Sequence, residues 1–365
     1  MPSAARPTES TGPRRVRDVE VIAPNFKRRL SGVTSTIVQL VPEQQKTLGI
    51  ATLGPGLPKG LPQLGWWQVP GLLARPAGRP FRIWHARRNT EMLAGVVLKH
   101  ILRAPVKLVF TSAAQRRHSR YTKWLIRRMD AVIATSRRSG SFLDVPHTVV
   151  MHGVDVTLFR PQDHDMRDAG DGWAAAGLPG RHGIGCFGRI RHQKGTDLFV
   201  AAMIDLLPDF PDWTAVVLGR VTAENKGFAD ALRRRIDEAG LSDRIVFMGE
   251  VPDVKPWYRR IDLYVAPSRN EGFGLTPLEA MASATAVVAS DAGAYGEMIQ
   301  PGRTGAVVAA GDGAALTAAI GAYLARPELA CAHGQAGLGH VRAQFALARE
   351  AEGVRAVYDA LWASA

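Results

Sequence analysis

Cysteine is nearly absent from this chain of 365 residues: only Cys186 and Cys331 occur. They cannot form a disulfide framework, so a reducing compartment is the simpler expectation. No apolar run approaches the ~18–20 residues that span a bilayer, so the chain is expected to be soluble or to sit on a membrane surface. Residues 1–17, rich in Pro, Ser and Arg, contain no apolar core. They read as a frayed tail and not as an ordinary secretory signal. His, Cys, Asp and Glu nowhere gather at metal-ligand spacing, and there are no internal repeats or low-complexity tracts. Acidic residues are scarce in the first half. Residues 1–150 carry 25 Lys/Arg against 7 Asp/Glu, a net of +18, and residues 151–365 carry 21 against 26, a net of −5. That asymmetry implies that the first half meets something anionic, whether nucleic acid, acidic lipid or acidic saccharide.

What is present is a globular composition, 46% hydrophobic and 22% charged, at a length that favours two domains with separate cores. Short β-branched runs alternate with amphipathic stretches, the pattern of parallel α/β domains. Expected strands in the first half are 19–23, 50–53, 82–85, 106–111, 131–135 and 148–151, with helices at about 35–46, 90–102 and 118–129. In the second half they are 183–187, 214–218, 245–248, 263–266, 286–289 and 305–308. The Gly- and Pro-rich segment 54–80 is expected to be a long irregular loop. His152-Gly-Val-Asp155, leading to Phe159-Arg-Pro161, reads as the linker. The expected division is therefore a tail (1–17), a first domain (18–152), a second domain (153–345) and a final helix (346–365) that packs back on the first.

The most informative motif is Glu271-Gly-Phe-Gly-Leu-Thr-Pro-Leu-Glu279, two carboxylates eight residues apart around a Gly-x-Gly turn where a strand hands over to a helix. Such a turn presents N–H groups and a helix N-terminus to an anion. The pair suits separate ligand contacts better than a hydrolase dyad, whose carboxylates sit ~5–9.5 Å apart. Eight helical residues rise ~12 Å. Thr276-Pro-Leu-Glu279 also has the form of a capping box, with Thr276 at the N-cap and Glu279 three residues on. Some eighty residues earlier, Gly188-Arg189-Ile-Arg-His-Gln-Lys194-Gly195 offers two cations on a loop opening a helix, suited to phosphate; the alternative is a pair of solvated surface cations. A literal G-x-G-x-x-G at Gly183–Gly188 lies on the expected strand and not after it, so it does not indicate a dinucleotide enzyme.

In the first half, Trp84-His-Ala-Arg-Arg-Asn89 ends a strand, where ligands bind in open α/β sheets. His85 is a candidate substrate contact; a buried, satisfied His is the alternative. Lys27-Arg-Arg-Leu-Ser-Gly32-Val-Thr34 follows the first strand and brings cations and a Gly turn to the same edge. Arg116, Arg120, Lys123 and Arg127 are expected on one helical face, with Tyr121 and Trp124 nearby. That basic, aromatic stripe suits anionic headgroups, and no named nucleic-acid motif accompanies it. Trp66-Trp67 reads as an interfacial anchor or a small local core.

Together these motifs resemble a known family. Phe187-Gly-Arg189, Lys194-Gly195, Gly249-Glu250-Val251, Ala266-Pro-Ser268, Glu271-Gly-Phe-Gly274, Glu279-Ala-Met-Ala282 and Ala292-Gly293…Glu297 are similar to the donor domain of retaining GT-B glycosyltransferases of family 4. Asn25-Phe-Lys-Arg-Arg-Leu-Ser-Gly-Val-Thr-Ser35, Trp84–Asn89, Phe110-Thr-Ser-Ala-Ala-Gln115 and Met129-Asp-Ala-Val-Ile-Ala-Thr-Ser136 look like the lipopolysaccharide-core mannosyltransferases of α-proteobacteria. The resemblance implies two Rossmann-like domains facing a cleft and transfer of mannose from GDP-mannose to a Kdo–lipid A inner-core acceptor, with retention. It implies no cofactor, no metal and no nucleic-acid partner, and a peripheral location on the cytoplasmic face of the inner membrane. In this reading Arg189 and Lys194 hold the donor diphosphate, with Gly188 beside them and Gly32 facing it from the first domain. Glu271 and the N–H groups of Gly272, Phe273, Gly274 and Leu275 meet sugar and phosphate. Glu279 holds the ribose, and Gly249, Glu250 and Val251 meet the base. Arg87, Arg88, Arg116, Arg120, Lys123 and Arg127 serve acceptor and membrane. Ala113 stands where many members carry a His, leaving His85 as the candidate substitute.

Overall fold

The computed structural model describes residues 15–28, 32–161 and 172–364. Most of the expected tail (1–14) and residues 29–31 of the motif after the first strand lie outside them. The apolar runs form two all-parallel sheets. The first contains β1 (Val21–Pro24), β2 (Ile50–Leu53), β3 (Gln63–Leu64), β4 (Arg82–Ala86), β5 (Val106–Ser112), β6 (Ala131–Ala134) and β7 (Thr148–Val149). The second contains β8 (His182–Phe187), β9 (Trp213–Leu218), β10 (Ile245–Gly249), β11 (Leu263–Ala266), β12 (Ala286–Ser290) and β13 (Gly305–Val308). Their orders are β3-β2-β1-β4-β5-β6-β7 and β10-β9-β8-β11-β12-β13. Every residue of β1, β2, β4, β9, β11 and β12 is buried. Helices cover both faces of a parallel sheet, which is why these strands read as largely apolar runs, although β4 also buries Arg82 and His85.

Three local readings are corrected. Segment 54–80 is not wholly irregular: it holds β3 and a 3₁₀ helix, Trp66–Leu73. Leu64 and Leu72 anchor it in the core. The fully buried Arg82 guanidinium donates to the carbonyls of Val16, Val19, Leu72 and Ala74, tying the loop down. The expected helix at 118–129 is only Arg120–Ile126, because Ser119 caps it by accepting from the Thr122 N–H at 3.2 Å. Arg116 therefore precedes the helix and does not share a face with Arg120 and Lys123. The first two G-x-G-x-x-G glycines, Gly183 and Gly185, lie on β8 as expected, for packing reasons, and Gly188 directly follows it. A Cβ at Gly183 would stand 2.4 Å from the Trp173 ring and one at Gly185 2.6 Å from that of Phe187.

The chain returns to the first sheet at its end. Val154 and Ala346 pair as a parallel bridge, and helix Leu347–Ala363 then crosses over. Val354, Tyr358 and Trp362 enter the cluster built by Val21, Ile37, Ile50 and Ile83. Trp362 Nε1 donates to the Phe81 carbonyl at 3.1 Å.

Candidate active site

In both sheets the strand order reverses beside the first strand, between β1 and β4 and between β8 and β11. Crevices open at the carboxyl ends of strands at such points. Here the two crevices face each other. They enclose a cavity of about 540 Å³ lined by Gly32, Arg87, Thr111 and Ala113 from one side and by Gly188, Arg189, Arg191, Lys194, Glu271–Thr276 and Glu279 from the other. That size is ordinary for a small-molecule site.

Two loops build the cationic wall. Gly195 has φ +71°, and a Cβ there would lie 1.9 Å from the Pro267 carbonyl, so only glycine lets the loop after β8 sit on the loop after β11. Arg269 clamps them: its guanidinium grips Asp197 through two 2.7 Å bonds, and its N–H donates to the Gln193 carbonyl at 2.9 Å. The side-chain bonds to Asp197 raise the Arg269 pKa. Across this junction Lys194 Nζ donates to Glu271 Oε2, both side chains being 19% exposed. Gly274, at φ +82°, turns the chain where a Cβ would strike the Tyr295 ring at 2.4 Å. Helix Thr196–Leu206 opens next to Lys194, so the positive end of its dipole adds positive potential.

Glu279 sits differently from the sequence reading. Leu275, with helical backbone, precedes helix Thr276–Ala282, and no side chain caps it. The Glu279 carboxylate instead accepts from the Tyr258 hydroxyl at 2.8 Å. Burial raises its pKa, against the opposing pull of that hydrogen bond. The capping-box expectation fails because Glu279 is drawn inward by a tyrosine distant in sequence.

His85 does not face the cavity. Its ring is buried within β4, with Nδ1 2.5 Å from the Tyr358 hydroxyl and Nε2 2.6 Å from Thr111 Oγ1. Burial holds its pKa well below 6.5, and Arg87 adds to that. With both nitrogens engaged it acts as a support behind Thr111, and its assignment as a catalytic candidate is corrected. Arg87 does reach the cavity. Arg88 is locked to Asn25 Oδ1, Glu91 Oε1 and Thr34 Oγ1, each at 2.8 Å. Gly249 ends the edge strand β10, two strands out from β8, with Glu250 and Val251 following it, and the three line no part of this cavity. The Gly249 carbonyl accepts from the Gly219 N–H at 2.7 Å.

A second cavity of about 800 Å³ adjoins the first, sharing Arg87, Thr111, Ala113, Glu271 and Gly272. Lys27, Arg88, Arg116 and His118 add to its basic lining. Arg120, Lys123 and Arg127 lie outside it, and Lys123 pairs with Asp144 at 2.5 Å. Beyond it Tyr121 and Trp124 stack in the open, with Arg128 3.7 Å over the Trp124 ring. Trp66 and Trp67 are 60% and 77% exposed, which removes the local-core alternative. Among the described residues no three His, Cys, Asp or Glu side chains group to hold a metal ion, and no helix is long and apolar enough to cross a membrane.

Four features escape the sequence reading. Arg191 lines the cavity with its Nε buried and unpaired among the described residues. His152 lines it too. Gln115 Nε2 donates to the Gly272 carbonyl at 2.8 Å, bridging the two halves. Glu297 accepts from the N–H groups of Arg137 and Arg138 at 2.9 Å each, a second bridge.

Comparisons with known proteins agree with this geometry. The model of the glycosyl transferases group 1 family matches residues 181–326. The chain is 69% identical to the lipopolysaccharide core biosynthesis mannosyltransferase LpcC of Rhizobium leguminosarum bv. viciae, over 95% of this chain and 97% of that one. It is 53% identical to the corresponding LpsB of Rhizobium meliloti (strain 1021), over 95% and 99%. A crystal structure of Anabaena HepE in complex with UDP superposes with a TM-score of 0.80 at 17% identity, over 94% of this chain and all of that one, which shows a shared fold. Opposed Rossmann-like domains with a cation-lined cleft and these relatives lead to one conclusion: the chain belongs to the group 1 glycosyltransferases of GT-B fold, among the mannosyltransferases of lipopolysaccharide core biosynthesis.

Proposed function

We propose that this hexosyltransferase takes mannose from GDP-mannose and places it, with retention, on the Kdo–lipid A inner core. The observation that carries the reading is the Lys194–Glu271 pair at the mouth of two joined cavities, flanked by Arg189, Arg191 and Gly32. The donor diphosphate would lie against Arg189 and Lys194 and the N–H groups of Gly272–Leu275. Negative charge that builds on the departing diphosphate is then met by cations already in place, which removes reorganisation from the barrier. Glu279 and Tyr258 would receive the ribose, with the base running outward past Gly188 and Gly219 toward Gly249–Val251. Retention follows from attack on the face the leaving group occupies, its phosphate oxygen taking the acceptor proton. The 800 Å³ cavity, with Lys27, Arg87 and Arg116, suits an acceptor bearing carboxylates and phosphates. No cofactor is required. The exposed Tyr121, Trp124, Trp66 and Trp67 would rest on the cytoplasmic face of the inner membrane, where aromatic rings favour the interface.

The test is transfer from GDP-mannose to a Kdo–lipid A acceptor by the folded Lys194→Ala variant. Loss of transfer by a factor on the order of 10²–10³ supports the donor site; undiminished transfer removes it.

A further inference from the structure

Among the described residues His152 is the imidazole that lines the 540 Å³ cavity, and a second residue fixes its chemistry. It is buried in the connection between the sheets. Its ring stands edge-on to Phe273 with centroids 4.9 Å apart. Nδ1 lies 2.7 Å from Glu350 Oε1, and Glu350 Oε2 accepts from the Gly153 N–H at 2.8 Å. Glu350 is buried on helix Leu347–Ala363, the element that crosses back. The backbone here is clamped: a Cβ on Gly153 would lie 2.8 Å from the Ala346 carbonyl. An ionised carboxylate only accepts, so Nδ1 carries a ring proton, and in the neutral ring Nε2 keeps a lone pair. The ring's one hydrogen bond among the described residues is through Nδ1.

The cavity is rich in donors toward an anion (Arg87, Arg189, Arg191 and Lys194). Phosphate oxygens carry no proton to offer Nε2, so its natural partner is a hydroxyl. Glu279 is engaged by Tyr258 as a polar pair of its own, and the edge contact with Phe273 ties His152 to the Glu271 turn. Resting on the reading of this cavity as a nucleotide-sugar site, we propose that His152 Nε2 accepts a hydrogen bond from one hydroxyl of the hexosyl group being transferred. Glu350 is a positioning residue that sets the tautomer. It gives the returning C-terminal helix a part in donor recognition.

The experiment compares transfer from GDP-mannose with transfer from its 2-, 3-, 4- and 6-deoxy analogues, and titrates GDP alone, for wild type, His152→Ala, His152→Gln and Glu350→Gln. Wild type is expected to disfavour one deoxy donor by about tenfold, the value of one neutral hydrogen bond near 1.4 kcal/mol. His152→Ala loses that preference and still binds GDP; His152→Gln, which keeps an acceptor oxygen, recovers part of it. In Glu350→Gln the Gly153 N–H claims the amide oxygen and the NH₂ faces Nδ1. The ring proton then moves to Nε2, so the hydroxyl must turn to accept instead of donate, and the preference shrinks with shape unchanged. If His152→Ala does not fold, Glu350→Gln carries the test alone. Equal relative losses on every deoxy donor in wild type and variants overturn the proposal. Failure of wild type to bind GDP overturns the donor-site reading itself, a separate result.

Discussion

Glu271→Gln and Lys194→Ala are predicted to move nucleotide binding in opposite directions while both lose transfer. In the structure Glu271 occupies Lys194 Nζ, at 19% exposure for each side chain. Two unit charges ~4 Å apart interact by on the order of 4 kcal/mol at the effective dielectric of a partly buried site. An incoming diphosphate must compete for that ammonium and approach the Glu271 carboxylate as a like charge. Neutralising Glu271 removes both costs. GDP should therefore bind Glu271→Gln about tenfold more tightly, a gain of ~1.4 kcal/mol. Lys194→Ala removes a charge-assisted bond worth about 1.5–3 kcal/mol and should weaken GDP at least tenfold. Transfer should fall on the order of 10²–10³ in each, since one lacks the sugar contact and the other the cation at the leaving group. Titration calorimetry with GDP, beside a transfer assay, reads both. If Glu271→Gln weakens GDP as Lys194→Ala does, the carboxylate is not the competitor for Lys194 and the reasoning fails.

Trp362→Ala should destabilise the protein by about 3–5 kcal/mol in urea denaturation, because the ring is buried in the first domain's core; a change below ~1 kcal/mol would mean that the helix contributes little. The buried His85 has a folded pKa held below the ordinary 6.5. Its contribution to stability is thus present above 6.5 and is lost as pH falls, by up to about 1.4 kcal/mol per pH unit. His85→Gln should flatten the stability–pH slope below 6.5 by that amount, and an unchanged slope contradicts the assignment. Trp66→Ser with Trp67→Ser should weaken sedimentation with anionic vesicles several-fold. Neutralising Arg116, Arg120, Lys123 and Arg127 should lower the salt dependence of that binding, with Lys123 contributing least because Asp144 already holds it. Binding unaltered by both sets rules out this face.

The strands were legible because parallel sheets bury both faces. Runs such as Leu263–Ala266 and Ile50–Leu53 are largely apolar and bounded by turns, and the expected strands at these two places coincide with the observed ones. Segment 54–80 was not legible, since what orders it is Arg82, a charge that local pattern assigns to the surface and the fold buries against carbonyls. Arg189, Lys194, Glu271 and Gly32 reach one cavity because each follows a strand at a switch point, a rule that sequence order already carries. His85 also ends a strand, but whether such a residue faces the crevice depends on side-chain direction, and its β4 position turns it toward Tyr358, 273 residues away. His152 was invisible for the converse reason. It lies in a linker and gains its role from Glu350, 198 residues later, through a crossing that periodicity cannot place. The turn around Glu271 drew attention as two carboxylates. The structure separates them, one on Lys194 and one on Tyr258.

The most direct measurement is transfer from a panel of nucleotide sugars to the Kdo–lipid A acceptor, with the anomeric configuration of the product read by NMR. The account predicts that GDP-mannose is the preferred donor, that one mannose is added in the α configuration of the donor, and that Lys194→Ala abolishes the signal. Preference for another nucleotide sugar, a β-linked product, or full activity without Lys194 would contradict it.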